Sequence, residues 1–253
     1  MKITFLGTGT SQGIPVIGCK CKVCTSPNPR DKRLRVSALI ELEDINMVID
    51  IGPDFRQQML NAGVEKIDAI LVTHEHRDHI AGLDDVRPFN FRYNMNMPVY
   101  TYLRVQEALR QAYGYIFNSS YPGVPAIELR TIEKNIPFQI GQNTILPIEY
   151  YHGRLPIMGF RIQNFAYLTD FQTIEEDQLK FLKDLDVLVI SALHHQPHYS
   201  HITLYDAIEI VKEIAPQKAY FIHMSHHMGL HEEVQERLPS GMHLAYDGLA
   251  IEI

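Results

Sequence analysis

The segment Thr73-His74-Glu75-His76-Arg77-Asp78-His79 constrains this chain more than any other, because it places three imidazoles and a carboxylate within a few positions. It directly follows the apolar run of 67–72, which reads as a buried strand. The chain has to turn sharply where the histidines begin, and at such a turn neighbouring side chains converge instead of alternating outward. Three imidazoles and a carboxylate suit zinc, manganese or iron. A solvated polar turn is the ordinary alternative for such a run. Histidine is abundant, with 13 residues, several of them packed further along in 194–201 and 223–227, which widens the search for metal chemistry.

The rest of the chain supplies a frame for that turn. KITFLG (2–7), VSALIELE (36–43) and NMVIDIG (46–52) read as strands, the last two as a hairpin. PDFRQQMLNAG (53–63) reads as a helix between Pro53 and Gly63, with Phe55, Met59 and Leu60 at helical spacing. Further strands are expected at 143–152, 158–163, 165–170, 186–193 and 218–224, with helices over 174–185 and 203–215. Strands and hairpins interspersed with helices predict an α/β sandwich, two packed sheets covered by helices, built as one domain over 1–253. The segment 85–125 looks irregular around one helix near 103–113 and is expected to cap or flank the site. Candidate ligands fall just after strands, where sheet proteins collect their chemistry.

Charge and hydropathy narrow the partners. A formal charge of −7 leaves no electrostatic footprint for nucleic acid, which is not expected as a partner. No apolar run reaches the length of a membrane span, so no membrane partner is expected either. The start, MKITFLGTGTSQG, turns polar after six residues and lacks the apolar core of a signal peptide. A cytoplasmic location is therefore expected, where thiols stay reduced.

The His-x-His-x-Asp-His spacing after a buried strand, followed by AGLDD, resembles the signature of the metallo-β-lactamase superfamily. FLGTGTSQG resembles that family's first-strand glycine loop, VIDIGPDFRQQ its second-strand aspartate loop, and YYHGRLPIMGFRI, FAYLTD and YFIHMSH its later ligand segments. Order and spacing agree over almost the whole chain. The resemblance implies a four-layer αβ/βα sandwich and a dinuclear site for Zn²⁺ or Mn²⁺. His74, His76 and His152 would hold the first metal, Asp78, His79 and His223 the second, and Asp170 would bridge them. Chemistry agrees: two like dications need an anion between them, and a buried carboxylate at a strand end is costly unless paired. Asp170 could otherwise be an acid at the start of a helix, and His152 and His223 ordinary strand-end histidines. Asp50 matches the second-strand aspartate and would orient a ligand histidine; a plain turn residue before Gly52 is its alternative.

Two metals can hold a hydroxide nucleophile and clamp phosphoryl oxygens, which suits hydrolysis of a small or cyclic phosphodiester. Asp78 and His201 are the expected catalytic residues, His201 as acid for the leaving group because it resembles the histidine of the phosphodiesterase branch. A surface histidine near a helix start is the alternative for His201. His194, His195 and His198 lie close enough to contact phosphate instead. Competing readings within the superfamily are a ribonuclease Z-like tRNA 3′-processing enzyme and a glyoxalase II-like thioester hydrolase. Outside enzymology, a metal-binding sensor could keep the same fold. Ribonuclease Z carries a tRNA-gripping arm between the segments matching His152 and Asp170, and only 17 residues separate these here. A small-molecule phosphodiester is thus the expected partner, while homodimer formation is left open.

All three cysteines, Cys19, Cys21 and Cys24, sit in GCKCKVC (18–24), an odd number that cannot pair off completely. Cys-x-Cys-x-x-Cys offers three soft ligands, and a closed structural zinc site needs a fourth. HMSH leaves His226 free once His223 is taken. The combination resembles the PhnP-type phosphodiesterases, which act on a ribosyl cyclic phosphate and carry an extra zinc. By that resemblance Cys19, Cys21, Cys24 and His226 hold one structural Zn²⁺. Three reduced thiols in a loose loop are the alternative. PqqB carries a similar cysteine loop, so the motif does not decide the substrate.

Overall fold

The computed structural model describes residues 1–119 and 121–253; Ser120, inside the segment 85–125, lies outside the described residues. Two seven-stranded sheets face each other. The first contains β1 (Lys2–Gly7), β2 (Ser37–Glu41), β3 (Asn46–Ile49), β4 (Ala69–Leu71), β5 (Met97–Thr101) and β6 (Ile127–Thr131) in sequence order, with β14 (Ala250–Glu252) beside β1. The second contains β7 (Phe138–Ile140), β8 (Asn143–His152), β9 (Leu155–Ile162), β10 (Phe165–Leu168), β11 (Val187–Ser191), β12 (Lys218–Ile222) and β13 (Met242–Leu244).

Strand periodicity explains the layering. β3 sends Met47 and Ile49 into the space between the sheets and Val48 to the outer face. β10 sends Phe165 and Tyr167 between the sheets, with Ala166 and Leu168 on the opposite face. Side chains alternate with period two, so a strand apolar on both faces needs cover on both. Helices provide it. α1 (Phe55–Asn61), α2 (Arg77–Ile80), α3 (Arg87–Tyr93), α4 (Leu103–Ala112) and α5 (Gly114–Phe117) belong to the first half of the chain. Phe55, Met59, Phe89, Val105, Leu109 and Ile116 join the outer cluster of the first sheet. α6 (Glu176–Leu179), α7 (Leu204–Ile214) and α8 (His231–Gln235) follow in the second half. α7 presents Leu204, Ala207 and Val211 to the second sheet, one helical stripe. It starts on a capping box between Thr203 and Asp206 and ends on a left-handed Ala215 before Pro216. The result is the expected four-layer sandwich.

Strands β3 to β6 run parallel, as do β10 to β13. Chemistry-bearing residues follow their carboxyl ends: Asp50 after β3, the histidine run after β4, Asp170 after β10 and His223 after β12. Clefts at the carboxyl ends of parallel strands are where such sheets bind ligands.

Two expectations change in detail. The segment 85–125 is not irregular: it contributes β5 and the helices α3, α4 and α5 to the first sheet and its cover. From there α4 flanks the histidine run, with Arg104 donating to Glu75 at 3.1 Å and to the Pro156 carbonyl at 2.8 Å. The helix expected over 174–185 breaks into α6 and a short 3-10 turn. Arg161 donates to the carbonyls of Phe181 and Lys183 at 2.7 and 2.9 Å, and a left-handed Asp184 sends the chain into β11. Tertiary contacts here override helical propensity.

Candidate metal centre and active site

The strand ends bring the predicted donors together through strained backbone. Asp50, Asp170 and His223 all adopt the left-handed region, at φ 61°, 53° and 58°. For residues with a side chain this conformation costs energy and persists where the surroundings enforce it. Two glycines make the approach possible. A Cβ on Gly52 would run into the Asp78 carbonyl, and one on Gly82 would run into the Gly52 carbonyl. Closely seated, the loops exchange backbone bonds, Ile51 N–H to His79 O and Gly82 N–H to Ile51 O, both 2.8 Å.

Asp50 is fully buried beneath the cluster. One carboxylate oxygen accepts from Thr73 N–H at 2.8 Å, and the other accepts from His79 Nδ1 at 2.7 Å. Thr73 Oγ1 donates to the same carboxylate and lies 2.9 Å from His74 Nδ1, from which it accepts. His152 Nδ1 donates to the Ser200 carbonyl at 2.9 Å. Each of these imidazoles is therefore committed at Nδ1, and its Nε2 is left with a lone pair aimed at the cluster, the arrangement found around metal-bound histidine.

His74, His76, Asp78, His79, His152, Asp170 and His223 meet in one place. His74, His76 and His152 offer ligand atoms within 4.8 Å of one another, and so do Asp78, His79 and His223. Asp170 Oδ1 stands 3.2 Å from His79 Nε2 and 3.3 Å from His223 Nε2, while its Oδ2 is 3.9 Å from His152 Nε2. Ligand atoms at about 2.0–2.1 Å from one tetrahedral ion lie roughly 3.3 Å apart. The donor set fits a cation on a second ground too. His79 Nε2 and both nitrogens of His223 are buried with no hydrogen-bond partner, a costly state for polar atoms unless something else binds them.

Electrostatics point the same way. Burial alone would raise the Asp170 carboxyl, but His223 and His79 hold it well below the usual carboxylate range. Burial also opposes charge on His79, yet Asp78, Asp170 and Asp50 push that imidazole well above its ordinary value. Carboxylates facing buried imidazoles in this way favour positive charge between them, which a metal ion also supplies. His74 is driven the other way, downward, by burial and by neighbouring His79.

His201 closes the cluster on one side, its Nε2 3.9 Å from Asp170 Oδ2 and its ring 4.5 Å from that of His152. Burial, then His223, pushes its imidazole down to about 2. Of the three histidines before it, His195 is committed elsewhere, with Nε2 donating to the Met228 carbonyl at 2.8 Å. His194 and His198 stay half-buried in the same loop. Thr73 and Ser200 were not foreseen as site residues. Ser200 holds His152 through its carbonyl and has no compositional signal, whereas a hydroxyl residue at a buried strand end beside a histidine could have marked Thr73.

The cysteine loop forms a second cluster. Cys19 and Cys21 Sγ both lie 3.3 Å from His226 Nδ1, and Cys24 Sγ lies 3.6 Å from it. The four side chains form one group of potential ligands. Backbone N–H groups already face the sulfurs, Cys24 N–H on Cys21 and Val16 N–H on Cys24, each at 3.4 Å. The Cys24 N–H, helped by His226, lowers the Cys21 thiol to about 6, in the range where it ionises readily; burial pushes Cys24 up to about 11. The glycine-rich loop after β1 also meets the main site: Thr10 N–H donates to the Met224 carbonyl and Met224 N–H to the Thr8 carbonyl, each at 3.0 Å. The residue following His223 is thereby paired to the glycine-rich loop after β1.

Two facing sheets with a histidine–aspartate cluster at their carboxyl ends define a β-lactamase superfamily protein, and the chain belongs to that family, with residues 45–224 matching the β-lactamase superfamily domain. Within the superfamily it is PhnP-like. A solved diphosphatase of the PhnP family superposes with a TM-score of 0.93 and 38% identity, covering 100% of this chain and 97% of that one. An octanoyltransferase from Porphyromonas gingivalis is 41% identical over 98% of this chain, and a ribonuclease Z from Methanopyrus kandleri is 27% identical over 53% of it. The chain spans about half the length of these two curated relatives, 51% and 46%. Zinc-bound PqqB from Methylobacterium extorquens, with a TM-score of 0.83 at 17% identity over 100% of both chains, shares the fold. No helix among the described residues is long and apolar enough to cross a membrane.

Proposed function

We propose that this protein cleaves a small phosphodiester, cyclic or of the diphosphate type, with two divalent ions, Zn²⁺ or Mn²⁺. The observation that carries the reading is Asp170, whose two oxygens face the two halves of the histidine cluster. Likeness to a PhnP-family diphosphatase at 38% identity supports the phosphoryl substrate. His74, His76 and His152 would hold one ion, Asp78, His79 and His223 the other, and Asp170 both. When bound, such a pair lowers the pKa of water and neutralises charge growing on phosphoryl oxygens.

The chain's own residues do the rest. Asp50, Thr73 and Ser200 fix the ring nitrogens that face the cluster. Asp78, with a side chain 12% exposed against 3% for Asp170, is the more open carboxylate, and as a ligand of the second ion it would orient the attacking water. His201, at the edge of the cluster, would serve the leaving group as acid. Burial and His223 favour its neutral form, and a phosphoryl anion beside it would favour the protonated one, coupling its acidity to substrate binding. Cys19, Cys21, Cys24 and His226 would hold a third ion, a Zn²⁺ that braces the loop against the strand end carrying His223. β8 and β9 are joined by only Gly153 and Arg154, which leaves no room for a tRNA-gripping arm at that turn. The expected substrate is therefore a small molecule, and nucleic acid is not part of the reading.

The test is hydrolysis of bis(p-nitrophenyl) phosphate against an octanoyl thioester, with Zn²⁺ or Mn²⁺ added. Diester cleavage is expected. Brisk thioester cleavage without diesterase activity would overturn the reading, and tight metal binding with neither activity would favour a sensor.

A further inference from the structure

The loop between β11 and α7 carries two histidines that neither metal cluster uses. His194 and His198 stand side by side, ring centroids 6.1 Å apart and nearly perpendicular. The His198 ring in turn lies 5.2 Å from that of His201 at the cluster edge. Their hydrogen bonds determine which nitrogen is free. Gln196 N–H donates to His194 Nδ1 at 3.1 Å, and Ser200 N–H donates to His198 Nδ1 at 3.4 Å. A neutral imidazole whose Nδ1 accepts carries its proton on Nε2. Burial keeps both rings below their ordinary pKa, helped at His194 by His198 and at His198 by His223. Each therefore presents an Nε2–H donor without an acceptor among the described residues.

We propose that His194 and His198 bind a second phosphoryl group next to the one held at the metal cluster, so that the substrate carries two adjacent phosphoryls, as in a diphosphate. The proposal rests on the phosphoryl-hydrolase reading and sharpens it. Ser200 makes the placement rigid, because its N–H holds His198 while its carbonyl holds His152. The two phosphoryl positions are thus set by one residue. Direction follows from charge. His198 and His201 also open onto a cavity of about 400 Å³, but Asp206 and Glu209 line it too. Those carboxylates repel a phosphoryl there, which leaves the His194 side of His198 for the second group. His195, occupied by Met228, takes no part.

Calorimetry on the zinc-loaded protein tests this without relying on turnover, using methylenediphosphonate and methylphosphonate as probes. The expected result is that His194→Ala/His198→Ala weakens methylenediphosphonate binding by about tenfold or more, as loss of charge-assisted hydrogen bonds implies. Methylphosphonate affinity should shift by less than about twofold. His198→Gln, whose amide can still donate, should recover part of the loss. Unchanged diphosphonate affinity, or equal loss for both probes, would overturn the proposal. If the diphosphonate effect holds and no phosphodiester is hydrolysed, the subsite stands and the catalytic reading falls. If hydrolysis is observed without the effect, only the subsite falls.

Discussion

Asp50→Asn is the most incisive perturbation of the cluster, because it preserves shape and removes one acceptor. The native carboxylate takes a proton donor on each side, Thr73 N–H on one oxygen and His79 Nδ1 on the other. An amide has one oxygen for these two duties. If it stays with Thr73, the amide NH₂ faces His79, whose Nδ1 must now accept. The His79 proton then moves to Nε2, the atom facing the cluster, and blocks it as a ligand. If the amide flips, two N–H groups meet at Thr73 and a buried donor goes unpaired. Either way about 1–3 kcal/mol is lost. At about 1.4 kcal/mol per tenfold, metal affinity should fall roughly 10- to 100-fold. Competition titration with a chromophoric zinc chelator reads this directly, with thermal unfolding of the metal-free proteins as control. A variant that takes up its metals with wild-type affinity would refute the account of how His79 is held.

Three further outcomes follow. Cys21→Ser should remove about one zinc per chain by elemental analysis while the histidine cluster keeps its ions, since the two groups share no residue. Gly52→Ala should lower metal affinity at least about tenfold, because the new Cβ displaces the Asp78 carbonyl and with it a ligand; wild-type metal content would contradict this. His231 is buried, accepts from Arg33 at 3.2 Å, and is pushed down to about 4 by burial and by Arg33 and Arg30. The unfolded chain binds this proton first, so His231 supports stability above pH ~6.5 and loses that support as pH falls toward 4, by at most about 3 kcal/mol. His231→Gln should flatten that part of the acid-unfolding curve, measured as the difference from wild type.

What could be read in advance depended on signal density. β3, β8, β10 and α7 carry long apolar patterns and lie where their periodicity indicates. β5 was hidden by Pro98, which lies outside the β4 pairing that begins at Val99. β6 is a half-exposed edge strand, and β7, β13 and β14 have three residues each, too few to show a period. In the site, contiguous donors such as His74 to His79 announce themselves. Residues that act by holding a ring from behind do so through a hydroxyl or a peptide group, and those occur everywhere in a chain. The break in the helix over 174–185 was equally invisible, because its cause, Arg161, lies on another strand.

Ser200 links His152 to His198 through its peptide carbonyl and N–H, and its Oγ lies 3.3 Å from the same His198 Nδ1. Both peptide contacts survive replacement of this buried serine by another small residue, whereas proline, which lacks the N–H, would cut the His198 side. The loop around it can exchange side chains, and with them the molecules it accepts, while its distance from the metal cluster stays constant. A lineage could change substrates here without first rebuilding its catalytic centre.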